Sequence, residues 1–143
     1  MNAGKLLAAS LCLCLAALGQ PALAEPTSKV VYHVNEGIDK AVAVLRNARN
    51  HLDAEPGAKI VVVTHGPGID FLLDGAKDKN GNPFDATVDT LGARGVEFRV
   101  CRNTLEVRNI DPKQVIPQAK IVPSGVAEVG RLQAKEGFVY VKP

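Results

Sequence analysis

Lys59-Ile60-Val61-Val62-Val63-Thr64, followed at once by His65-Gly66-Pro67-Gly68, is the stretch whose reading decides the fold. Four consecutive β-branched residues do not alternate with polar ones. They suit a strand covered on both faces, which is the position of an inner strand in a parallel sheet. A parallel sheet needs a crossover on each side of such a strand, so helices are expected before and after it.

The flanking sequence supplies them. Lys29–Asn35 reads as a short β-branched strand, and Glu36–Ala54 carries Ile38, Val42, Leu45 and Leu52 near helical spacing. Asn35 is expected to cap that helix and Pro56-Gly57 to stop it. Beyond the glycine-rich turn, Ile69–Ala76 reads as a short helix, Lys77–Pro83 as a polar loop, and Phe84–Ala93 as a helix ended by Gly95. Val96–Cys101 alternates, with Val96, Phe98 and Val100 on one side and Glu97, Arg99 and Cys101 on the other. Asn103–Arg108 opens another short helix, Lys120–Pro123 is a strand, Ser124 caps a helix from Gly125 to about Ala134, and Phe138–Val141 is the last strand. Strands alternating with helices predict an α/β fold, a three-layer α/β/α sandwich on a mostly parallel five-stranded sheet.

Composition narrows the function. Tryptophan is absent and aromatics make up 4% of the chain, so the core must come from Val, Ile, Leu and Ala. Lys and Arg (17) nearly balance Asp and Glu (15), without a basic tract, and this argues against a nucleic-acid partner. At the N-terminus, Lys5, the uncharged run Leu6–Leu18 and the small-residue pattern Ala22-Leu23-Ala24 read as a signal peptide over residues 1–24. The expectation is a periplasmic or secreted single domain, residues 25–143, with no membrane attachment after cleavage. Cys12 and Cys14 would leave with the signal, so Cys101 stays as a lone cysteine without an internal disulfide partner.

In open parallel sheets ligands gather at the carboxyl ends of the strands. His33 lies near the end of the first strand, His65 follows the second and Cys101 ends the third. Pro123-Ser124 holds the equivalent place on the fourth. Cys101 precedes Arg102, Asn103 and Thr104 at a helix start, where free N–H groups and an adjacent cation favour thiolate over thiol. Its place on the Glu97/Arg99 side predicts an exposed sulfur. His33, His65, Arg102, Asn103 and Thr104 are supporting candidates. Gly66 and Gly68, with Ser124, are candidates for a loop that lets a ligand approach the backbone. That loop is neither a Walker loop nor a dinucleotide fingerprint, the His and Cys spacings match no closed metal motif, and no metal or cofactor is expected.

Val30-Val31-Tyr32-His33-Val34-Asn35, Val62 to Gly68, Gly95 to Thr104 and Val122-Pro123-Ser124-Gly125-Val126 together resemble the DsrE/DsrF-like family, over essentially the whole chain after residue 24. The resemblance implies the α/β/α sandwich, trimers or hexamers of one chain, and a kinship with sulfur-relay subunits. In those subunits a strand-end cysteine carries sulfur as a persulfide, and Cys101 matches that position by motif. The expected function is exported sulfur handling: Cys101 accepts or carries sulfur, as a sulfurtransferase-like carrier, and exchanges it with a donor or acceptor protein. Two other readings remain open. One is a small-molecule or soft-metal-binding module using the His33/His65/Cys101 rim, and the other an oligomeric accessory protein without chemistry.

Overall fold

The computed structural model describes residues 27–143, so the expected signal peptide lies outside the described residues. Five strands form one sheet: β1 (Lys29–Val34), β2 (Lys59–Thr64), β3 (Glu97–Cys101), β4 (Ala119–Val122) and β5 (Val139–Val141). Their order across the sheet is β4-β3-β2-β1-β5, and every pairing is parallel. The helices are α1 (Ile38–Ala54), α2 (Asp85–Ala93), α3 (Arg102–Val107) and α4 (Gly125–Glu136).

The handedness of crossovers explains where the helices go. From β1 to β4 each step moves the same way across the sheet, so right-handed connections place α1, α2 and α3 on one face. The last crossover returns from β4 past three strands to β5, and the same hand places α4 on the opposite face. The first face is the main core: Val30, Tyr32, Val34, Ile60, Val62, Phe98 and Val100 pack against Leu45, Leu52, Phe71, Val88, Leu91 and Leu105. Under α4 lies a smaller cluster of Val31, Val61, Val63, Val129, Leu132 and Phe138. The all-apolar run in β2 follows from this, because both its faces are covered.

Several boundaries differ from expectation. The buried stripe of α1 is Ala41, Val44, Leu45, Ala48 and Leu52, whereas Val42 lies beside it and is 44% exposed. Asn35 does not cap α1: the cap position is Gly37 with no side-chain bond, and the Asn35 amide oxygen accepts from Lys142 instead. The segment after β2 is a 3-10 helix over Gly66–Leu72, earlier than the short helix expected over Ile69–Ala76, because Gly66 enters it at φ +54° and Pro67 fixes its first turn. Ser124 does cap α4, accepting from the Ala127 N–H at 3.3 Å. Among the described residues no helix is long and apolar enough to cross a membrane.

Candidate functional site

Cys101 is at once the last residue of β3 and the N-cap of α3. The neighbouring strand, β4, leads through Pro123-Ser124 into α4, on the other face of the sheet. The chain therefore leaves these two adjacent strands in opposite directions and opens a crevice between them, the switch point at which open α/β sheets bind ligands. A cavity of about 340 Å³ occupies the crevice, with Cys101, His65, Gly66, Thr104, Arg108 and Ser124 on its walls.

Cys101 is only 5% exposed, which corrects the expectation of an exposed sulfur. It does share a face with Glu97 and Arg99, but the start of α4 covers it: a Cβ built on Gly125 would lie 3.2 Å from the Cys101 Cβ and 3.1 Å from the His65 Cβ. Gly125 is thus the residue that lets α4 approach, and only the strand order reveals its role. No conventional side-chain cap bond forms to the sulfur. Burial pushes the thiol up, but the Gly125 N–H, the Thr104 hydroxyl and the N–H groups of Thr104 and Asn103 outweigh it and hold the thiol below its ordinary range. Arg102 was expected to help. Its side chain is exposed, and the largest influences that favour the thiolate come from backbone N–H groups and the Thr104 hydroxyl.

The Thr104 hydroxyl accepts from the Gly66 N–H at 2.9 Å. Its single proton is thereby left for the sulfur. Arg108 also fastens the loop, donating to Asp70 at 2.5 Å and to the Gly66 carbonyl at 3.3 Å. Gly66 lines the cavity as expected, but Gly68 does not. It is buried, and a Cβ there would lie 2.2 Å from the Val34 carbonyl oxygen, so its missing side chain accommodates the chain's own backbone and not a ligand.

The two histidines meet. Their Nε2 atoms are 2.7 Å apart with the rings stacked at 4.9 Å, so one N–H donates to the other's bare nitrogen. The Tyr140 hydroxyl lies 2.8 Å from His33 Nδ1, which makes a chain of three polar side chains ending at the cavity wall. Burial, then His65 and Lys142, push His33 below its ordinary range; burial and Lys142 do the same to His65. Both rings are therefore biased towards the neutral form. His33 itself does not line the cavity. Among the described residues no group of three His, Cys, Asp or Glu side chains is placed to hold a metal ion, so the His33/His65/Cys101 set is not assembled as a ligand sphere.

Glu97 and Arg99 are satisfied within the chain. Arg99 pairs with Glu128 of α4 and with Glu97 at 3.0 Å, and Lys120 reaches Glu97 at 3.1 Å. These charges do not require a neighbouring subunit.

The DsrE/DsrF-like family model matches residues 29–143. The chain belongs to the DsrE/DsrF-like family. Two solved structures resemble this family member. The protein of unknown function MTH1491 from Methanobacterium thermoautotrophicum has a TM-score of 0.71 at 26% identity, covering 81% of this chain and 99% of its own. The ychN protein from E. coli has a TM-score of 0.63 at 16% identity, covering 82% and 98%, a likeness that speaks for the fold alone. No curated protein sequence matches.

Proposed function

We propose that this DsrE/DsrF-like protein is an exported sulfur carrier that holds sulfur on Cys101 as a persulfide. The observation that carries the reading is the sulfur itself, set at a switch-point cavity among N–H and hydroxyl donors that hold the thiol below its ordinary range. The same donors suit the terminal sulfur anion of a persulfide.

In the forward step the Cys101 thiolate attacks the outer sulfur of a donor persulfide. The Cys101 S–S bond forms, the donor S–S bond breaks, and the donor leaves as a thiolate that takes a proton. Delivery reverses these bonds on an acceptor thiol. His65, on the cavity wall and biased towards its neutral form by burial and Lys142, takes the Cys101 proton and returns it to the leaving thiolate; hydrogen bonding through His33 to Tyr140 holds its ring in place. Signal cleavage after Ala24 and assembly into trimers or hexamers belong to the same proposal, as does a protein donor or acceptor. The test is intact-mass analysis after exposure to a low-molecular-weight persulfide. A reducible gain of about 32 Da per sulfur, absent in Cys101→Ser, supports carriage. No gain on the wild-type chain counts against it.

A further inference from the structure

The opposite face of the sheet carries a second concave site that the sulfur chemistry does not use. Its cavity, about 410 Å³, lies between α1 and α2. That volume is in the range of about 300–1,000 Å³ common to small-molecule sites. Leu45, Phe84 and Leu91 form the floor, each less than 5% exposed. The groove stays open for a reason legible in the sequence. The α2 positions turned towards α1 include Ala86, Thr87 and Thr90, side chains too short to close the gap. Val42, the apolar residue displaced from the buried stripe of α1, forms part of the wall.

Charge selects the occupant. Arg46, Arg49 and Arg94 stand along the groove. Arg94 is neutralised by Asp53 at 2.7 Å, whereas among the described residues neither Arg46 nor Arg49 is in a salt bridge. The one carboxylate on the lining, Asp78, is turned into its own loop, where it accepts from the N–H groups of Asn80 and Asn82 at 2.8 Å and from the Asn82 side-chain amide at 3.0 Å. An apolar floor with two uncompensated guanidinium groups above it matches a flat apolar body bearing a sulfonate or carboxylate.

We propose that the α1–α2 groove binds a small aromatic anion of this kind, independently of Cys101. The probe is 8-anilinonaphthalene-1-sulfonate, titrated by fluorescence into the purified protein, with the uncharged N-phenyl-1-naphthylamine as comparison. The expected result is saturable one-site binding of the sulfonate and weaker binding of the neutral dye. The double variant Arg46→Gln/Arg49→Gln should bind about tenfold more weakly, the loss expected when two solvent-exposed charge contacts go. Thr87→Leu, which fills the groove without touching a charge, should abolish binding. Cys101 alkylation should be unchanged in both variants, which separates this site from the sulfur reading. Absence of saturable binding overturns the proposal, as does equal affinity for the neutral dye. Variants that fold, by circular dichroism, and bind like wild type overturn it too.

Discussion

The two faces of one sheet are built from alternate residues of the same strands, yet they behave as different materials. Along Val96–Cys101, which runs into and through β3, Val96, Phe98 and Val100 point into the core under α1, α2 and α3, while Glu97, Arg99 and Cys101 point to the side of α4. The first face is largely apolar, and its buried polar groups, the Tyr32 and Thr64 hydroxyls, are hydrogen-bonded to His51 and to the Arg99 carbonyl. The second joins a small apolar cluster to an ion-pair network and to the thiol–histidine site. A single helix covers it, so polar side chains near its margins stay close to water. One face contributes stability, and the other can hold perturbed groups because it is not required to be the main core.

The largest effect should come from breaking the first face. Phe98 is 1% exposed, and Phe98→Ala should cost about 3–5 kcal/mol of unfolding free energy. Denaturant titration measures the loss, and the pH midpoint of Cys101 alkylation should not move in the protein that remains folded. A shifted midpoint would mean that the two faces are coupled.

The second face should respond more mildly. Glu128→Gln removes the carboxylate that Arg99 and Arg131 share, but Glu97 still faces Arg99, so the expected cost is about 1–3 kcal/mol. Arg99→Met/Glu128→Leu together should recover most of it, since an apolar pair of similar volume can replace a half-buried ion pair. Failure to recover would assign the network a role beyond packing.

Smaller still in stability, but direct in chemistry, is Thr104→Val. It keeps the shape and removes the hydroxyl that bridges the Gly66 N–H and the sulfur. The alkylation midpoint should rise, because a group that favours the thiolate is gone, and Thr104→Ser should restore it. Arg102→Ala should leave the midpoint where it was. A midpoint that follows Arg102 instead of Thr104 would reverse the assignment of donors.

The histidine pair gives the smallest expected signal. Both rings have folded pKa values below the ordinary value of about 6.5, so the unfolded chain takes up protons first on acidification. Their contribution is fully present above that value and is lost as pH falls through the folded values. Thermal melts between pH 7.5 and pH 5, read at intervals of about half a unit, should show a decline that flattens in His33→Gln/His65→Gln. An unchanged slope in the double variant would place the acid sensitivity elsewhere.

Much of this molecule follows from local pattern. The unbroken β-branched run of β2, the alternation of β3, the Ser124 cap and the succession of strands and helices are short-range features, and the α/β class with its five strands follows from them. Cys101 at a strand end was legible for the same reason. Strand order is a long-range property and is not written in any single segment. It decided that β3 and β4 leave the sheet on opposite faces, that Gly125 therefore closes over Cys101, and that the sulfur is buried. Only the assembled fold could show that the Gly125 N–H and the Thr104 hydroxyl act on the thiol, because that depends on where the next helix docks. The contact between His33 and His65 needed β1 and β2 to be neighbours in register, with His33 opposite Val63 and His65 just past the strand end. Periodicity fixes which side of an element a residue faces; packing alone fixes what it meets there.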